Sequence, residues 1–198
     1  MTITTLRATD ASVGGIDIEA AEQAARDLVL ALGLDVREPA LADTPRRVAK
    51  AYAELLTPRE FSLTTFPNDE RYDEMVLALE IPFVSLCEHH LLPFTGTAAV
   101  GYLPGERILG LSKLARVVEM FARRPQVQER MTKQIATWLD EHLAPRGVGV
   151  VLQAEHTCMT LRGVQARGST TVTSALTGLI RQDERTRTEF LSLGRHQR

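Results

Sequence analysis

Apolar positions in the first third of the chain recur at helical intervals. Ile18, Ala21, Ala25, Leu28, Val29 and Leu32 share one face of a helix that Asp17 can cap and Gly33 ends. A second helix is predicted over Pro45 to Leu56. Thr44 is a good N-cap, Pro45 suits the first turn because its missing N–H costs nothing there, and Thr57-Pro58 closes the segment. Residues 57–73 keep neither period and are expected to be loop. From Glu74 the texture becomes extended: Met75 to Leu77 and Ile81 to Leu86 predict a strand that runs into Cys87, with an irregularity near Glu80 and Pro82. Thr95 to Leu103 reads as a second strand stopped by Pro104-Gly105, so the two form a hairpin. Helical periodicity returns over 112–123 and 127–143, on either side of Pro125. Val148, Val150, Leu152, Ala154, His156 and Cys158 alternate along a third strand, which would deliver His156 and Cys158 on one face. A fourth strand over 169–176 and a terminal helix over 183–193 complete the order β-β-α-α-β-β after the N-terminal helices. Four strands with two helices on one face leave the other face and the sheet edges in need of cover, which oligomerisation supplies economically.

Length and composition narrow this picture. At 198 residues, with 44% apolar and 24% charged positions, the chain is an ordinary folded protein rather than a disordered or fibrous one. We divide it into a flexible leader (1–15), an N-terminal helical region (16–73) and an α+β domain (74–198) that works with the helices as one unit. The formal net charge of -2 removes the broad basic surface of a nucleic-acid-binding protein, so any nucleotide is bound locally. The longest apolar stretch, Leu28 to Leu34, is far shorter than the roughly 20 residues that cross a bilayer. The first residues lack a signal-peptide core, so no membrane association and a cytoplasmic location are expected.

Only two cysteines are present, Cys87 and Cys158, which makes a disulfide framework improbable. Alone, each reads as a small buried hydrophobe. Jointly they suggest more. Cys87-Glu88-His89-His90 places a thiolate three residues from an imidazole, a spacing suited to zinc, and Cys158 can add a second thiolate. Structural zinc sites are usually closed by four protein ligands, whereas three leave a position for water and point to hydrolysis. His89 and His156 are then free for proton transfer. Glu88 is read as an orienting carboxylate rather than a ligand.

Four blocks of the chain resemble GTP cyclohydrolase I. They are Cys87-Glu88-His89-His90-Leu91-Leu92-Pro93-Phe94, Gly110-Leu111-Ser112-Lys113-Leu114-Ala115-Arg116, Arg124-Pro125-Gln126-Val127-Gln128-Glu129-Arg130 and His156-Thr157-Cys158-Met159-Thr160-Leu161-Arg162-Gly163. The similarity extends from about Asp43 to the Arg187-to-Phe190 region. It implies the tunnelling fold, an α+β unit of order β-β-α-α-β-β, and a homodecamer of two pentameric rings with active sites between subunits. It implies one zinc per subunit on Cys87, His90 and Cys158, no organic cofactor, and GTP as the substrate. Zinc-activated water attacks C8 of guanine, formate leaves, and rearrangement gives 7,8-dihydroneopterin triphosphate, the first step towards tetrahydrofolate.

Within that implied reaction His156 is the proton donor at ring opening, and His89 and Ser112 serve the later proton shuttles. Guanine presents two neighbouring donors that one carboxylate can accept, a role for Glu129 with Gln128 beside it. The triphosphate needs several cations. Lys113 and Arg116 share a helix face, Arg162 follows Cys158, and with Ser112 they form the phosphate set, to which Arg47 and Lys50 of a neighbouring subunit are additions. Trp138 is assigned to helix packing. Two further readings stay open at the level of sequence: a relative that serves deazapurine synthesis through the same first reaction, and a non-catalytic tunnelling-fold protein that binds a pterin or purine. The spare imidazoles with Ser112 and Lys113 argue against the second.

Overall fold

The computed structural model describes residues 15–194. The expected leader, but for Gly15, lies outside the described residues. The chain separates into a helical unit that ends at Thr57 and a sheet unit that begins at Pro58. Residues 58–73, assigned from the sequence to the N-terminal region, therefore join the sheet unit.

In the helical unit, α1 (Ile18–Ala31) is capped by the Asp17 carboxylate, which accepts from the Ala20 N–H at 3.0 Å. Gly33 follows with φ +80°, a left-handed conformation that suits glycine. α2 (Thr44–Leu56) starts one residue earlier than the cap rule suggests, because Asp43 is already near helical φ and ψ and its side chain makes no capping bond. Ala25 and Val29 of α1 and Ala49 of α2 are buried, while Leu28 and Leu32 of the predicted apolar face stay exposed.

The sheet unit runs β1 (Thr65–Pro67), β2 (Val76–Cys87), β3 (Pro93–Leu103), β4 (Arg107–Leu109), α3 (Ser112–Ala122), β5 (Pro125–Gln126), α4 (Gln128–Leu143), β6 (Gly147–His156), α5 (Thr157–Thr160), β7 (Thr171–Leu176), α6 (Gly178–Gln182) and α7 (Glu184–Leu193). The main sheet has the order β5-β2-β3-β6-β7 and is antiparallel except where β5 meets the end of β2. Its long elements keep the expected β-β-α-α-β-β order, and the unit is α+β. The irregularity in β2 is a register shift between Ala78 and Ile81, with Glu80 at φ +54°. The segment read as loop contains β1, which pairs with β4 in a second, two-stranded sheet.

α3 and α4 cover one face of the sheet. Leu114, Val117, Val118, Met131, Ile135 and Leu139 meet Phe83, Val100, Tyr102, Val148, Val150 and Leu152, all buried. Each such side chain contributes about 1.5–3 kcal/mol through its removal from water. The opposite face is not bare, as the element count had suggested. α6 and α7 bring Ile180 and Phe190, both fully buried, against Leu103, Leu77, Val151 and Leu176. Gly149 makes this approach possible, since a Cβ there would lie 2.7 Å from the Phe190 ring. Elsewhere on that face Val84 and Val172 are exposed. Among the described residues, β7 has no further strand on its outer side, and β2 has one only at Leu86–Cys87. No helix among them is long and apolar enough to cross a membrane.

Candidate metal centre and active site

The site lies at the end of the sheet where β2 stops, β3 starts and β6 stops. The β2–β3 turn is closed by the Cys87 N–H to Leu92 carbonyl bond at 2.9 Å, and the Leu91 N–H returns to the Cys87 carbonyl at 2.8 Å. Leu91 takes φ +53°, a costly conformation for a branched side chain and one that sets the sharp corner after His90. Parallel pairing with β5 ties the same corner down, through the Glu88 N–H to the Gln126 carbonyl at 3.0 Å. The tight turn folds both imidazoles back towards the thiol: Cys87 Sγ is 3.8 Å from His89 Nδ1 and 3.7 Å from His90 Nδ1.

Cys158 arrives by a different route from the one expected. β6 ends at His156, and residues 157–160 form a helical turn, so His156 and Cys158 are not alternate residues of one strand. The cause is tertiary. The Thr157 hydroxyl donates to the Pro93 carbonyl at the start of β3 at 2.5 Å, which takes the chain out of the extended path. The turn still places Cys158 Sγ at the corner, and one donor atom each from Cys87, His90 and Cys158 lie within 4.8 Å of one another. Burial, and then the neighbouring Cys87 sulfur, push the Cys158 thiol above its ordinary pKa. Two thiols and an imidazole converging at this distance fit a zinc ion, whose charge would stabilise the thiolates that otherwise repel.

His156 sits beside this triad in a fully specified pocket. Its ring stacks on Phe94 with 4.4 Å between centroids and 6° between planes. Its Nε2 meets Gln128 Oε1 at 2.8 Å. The tautomer follows from Gln128, whose Nε2 faces three oxygens: Leu152 O at 3.2 Å, Thr171 O at 3.0 Å and Thr173 Oγ1 at 3.1 Å. The amide nitrogen must donate to these, so its oxygen faces His156, and the imidazole carries its proton on Nε2. Nδ1 is left to exchange a proton. Burial lowers the His156 pKa, and the negative charge of Glu129 acts in the opposite sense.

The predicted substrate residues separate by environment. Glu129 is exposed in the first turn of α4, with its charge felt at His156. Gln128, grouped with it from the sequence, is 1% exposed and its amide is committed to β6, β7 and His156, so its reach is to the imidazole rather than outward. Glu88 is not among the clustered ligands; it is gripped by Arg130, and the first effect of that bond is to hold its carboxyl below the usual range. Ser112 and Arg116 line a cavity of about 530 Å³ between α3 and the outer edge of β2, and Lys113 lies beside Ser112. Arg162 is exposed just beyond α5. Arg47 and Lys50 lie on α2 of the helical unit, where Arg47 is 3.6 Å from Asp43 and 3.3 Å from the Thr44 hydroxyl.

Sequence reasoning missed several residues of this region. Phe94 carries no role in the sequence pattern, yet its place at the start of β3 opposite His156 makes it the stacking floor. Glu119 and Arg59 lie outside every motif of the sequence reading. Glu119 lies three residues beyond Arg116 on α3, a spacing that predicts an ion pair, and its Oε2 accepts from Arg116 Nη1 at 3.2 Å. Arg59 comes from 60 positions away, and no local pattern announces it.

A family model described as GTP cyclohydrolase I matches residues 21–195. A GTP cyclohydrolase 1 from Aquifex aeolicus is 50% identical over 178 residues, which cover 90% of this chain and 97% of the relative. One from Streptococcus thermophilus is 51% identical over 185 residues, 89% of this chain and 97% of its own. One from Thermobifida fusca is 50% identical over 192 residues, 93% of each. A match from the N-terminal helices to the last helix, with relatives half identical over nearly their whole length, means that the chain belongs to the GTP cyclohydrolase I family.

Proposed function

We propose that this enzyme opens the imidazole ring of GTP at C8, releases formate and forms 7,8-dihydroneopterin triphosphate at a centre built on Cys87, His90 and Cys158. The observation that carries this reading is the convergence of those three donors beside a histidine whose tautomer and ring plane are both fixed. Zinc, when bound there, supplies a Lewis acid and makes water nucleophilic near neutral pH. His156 holds one proton on Nε2 against Gln128 and moves the other at Nδ1, which protonates the ring nitrogen as the C8–N bond breaks. The Phe94 face beneath the imidazole excludes water from one side and keeps the ring in plane. His89, exposed beside the thiolate, serves the later proton transfers with Ser112.

Glu129 accepts from the guanine ring N–H and the exocyclic amino group. Ser112, Lys113, Arg116 and Arg162 bind the triphosphate, with Arg47 and Lys50 contributed by a neighbouring subunit. The free edges of β2 and β7 support a closed ring, because joining them edge to edge satisfies the backbone groups that a lone subunit exposes. On this reading the assembly is a homodecamer of two pentamers, holds one zinc per subunit and works in the cytoplasm.

The test is to incubate purified, metal-quantified protein with GTP and follow formate and the pterin chromophore together. Both products, lost on chelation and restored by zinc, are expected. Formate without the pterin would limit the reaction to ring opening. Neither product from a zinc-loaded oligomer would overturn the reading in favour of a non-catalytic purine- or pterin-binding protein.

A further inference from the structure

The cavity beside α3 contains an ion arrangement that the reaction as described leaves unused. Glu119 is mostly buried, at 13% side-chain exposure, and accepts from two guanidinium groups. Arg59 binds it in a fork, with Nε to Oε1 at 2.7 Å and Nη2 to Oε2 at 2.8 Å. Arg116 reaches the same Oε2 by the longer contact of 3.2 Å. A fork-on-fork pair is the strongest geometry available to a carboxylate, so Glu119 is committed first to Arg59 and only secondarily to Arg116. One carboxylate between two guanidinium groups also leaves a net positive charge on the wall of a cavity lined by Ser112 and Arg123.

We propose that Arg59 is a positioning residue for triphosphate binding: by occupying the Glu119 carboxylate it keeps the Arg116 guanidinium from being neutralised and presents it to the anion. This rests on Arg116 belonging to the phosphate set. Without Arg59, Glu119 and Arg116 are left as a one-to-one pair on adjacent turns of α3, and the local charge falls from net positive to zero. The Glu119 carboxyl stays ionised in this setting: burial alone would raise its pKa, and the two arginines outweigh burial and hold it below the usual range. The device acts on an anion of high charge density and has no bearing on the chemistry at the metal corner.

The experiment uses the full-length, zinc-loaded assembly and inorganic tripolyphosphate, with Kd from calorimetry and KM and kcat for GTP measured in parallel. Arg59→Ala is expected to weaken tripolyphosphate binding and raise KM about fivefold at low salt, with kcat within about twofold, an effect that shrinks as salt screens the site. R59A/E119Q removes the carboxylate that captures Arg116 and should return Kd to within about twofold of the parent. In an R116A background, R59A should weaken binding clearly less than in the parent, because only the charge of Arg59, and no longer the presentation of Arg116, is then lost. A double variant as weak as R59A, an R59A effect as large in R116A as in the parent, or a fall in kcat and thermal stability with Kd unchanged would each overturn the proposal. Turnover of GTP by the parent protein decides the catalytic reading separately, since tripolyphosphate binding needs no chemistry.

Discussion

Gln128→Leu is the sharpest test of how this site is built. The substitution nearly preserves volume and removes every polar contact of a side chain that is 1% exposed. The lost groups are the amide N–H donors shared among Leu152 O, Thr171 O and Thr173 Oγ1, and the carbonyl that accepts from His156. At about 1 kcal/mol net for each of roughly three bonds, the loss is about 3 kcal/mol, and the buried leucine returns about 1. A net cost of about 2 kcal/mol lowers Tm by roughly 5 °C in a chain of this size. The effect on activity is separable from this. His156 loses the partner that fixes its tautomer, and kcat should fall about 100-fold, equivalent to about 2.7 kcal/mol of barrier. Gln128→Glu sharpens the test. It keeps an acceptor for His156 but aims its second oxygen at two carbonyl oxygens, at the positions now 3.2 and 3.0 Å from the amide nitrogen. It should therefore be less stable than Q128L despite its closer shape. Formate release, zinc content and thermal unfolding are measured on the three proteins. A zinc-replete Q128L with kcat within threefold of the parent, or a Q128E more stable than Q128L, refutes the tautomer argument.

Other outcomes follow from the same geometry. Cys158→Ser should leave a folded assembly that no longer retains zinc, measured as metal content after dialysis; a fully active, metal-free C158S removes the ligand assignment. Gly149→Ala drives a methyl to 2.7 Å from the Phe190 ring and should cost about 1–3 kcal/mol in denaturant unfolding, with most of it recovered in G149A/F190L. Asp183 caps α7 by accepting from the Thr186 N–H and hydroxyl, both at 2.8 Å, and the N–H bond first of all holds its carboxyl below the usual range. A depressed carboxyl stabilises fully above its unfolded value of about 3.9 and loses that contribution as pH falls through the lower folded value. Asp183→Ala should accordingly lower Tm at pH 7 and match the parent at the acid end of that window; a Tm difference that does not change with pH would refute the charge-based cap.

The long elements were legible because each is periodic over enough residues to declare itself. The alternation from Val148 to Ala154 and the apolar rows of the helices 112–123 and 127–143 need no partner to be recognised. β1 and β4, each three residues long, and α6, five residues long, carry too short a pattern, and the first two exist because they pair with each other across the fold. The cover on the second sheet face escaped for a related reason. The apolar residues of α7 crowd into its last turn as Phe190, Leu191 and Leu193, too few to show a helical period, and the burial of Phe190 depends on Gly101 and Gly149 lying opposite it.

In the site, the Cys-x-x-His spacing and the second cysteine are properties of the chain, and the donor set that converges in the fold was readable as metal ligands before any fold. The path by which Cys158 reaches the corner was not, because alternation continues past His156 in the sequence while the Thr157 hydroxyl bond to Pro93, across 64 positions, turns the backbone. Gln128 looked like a partner of Glu129 because neighbours in sequence look alike, yet on α4 one is buried against β6 and β7 and the other exposed. Residue types and local spacing are written in the chain, since propensity and ligand chemistry act over a few residues. Which oxygen faces which imidazole nitrogen, and which of two arginines holds a carboxylate, depend on groups brought together from distant positions, and only the packed fold settles them.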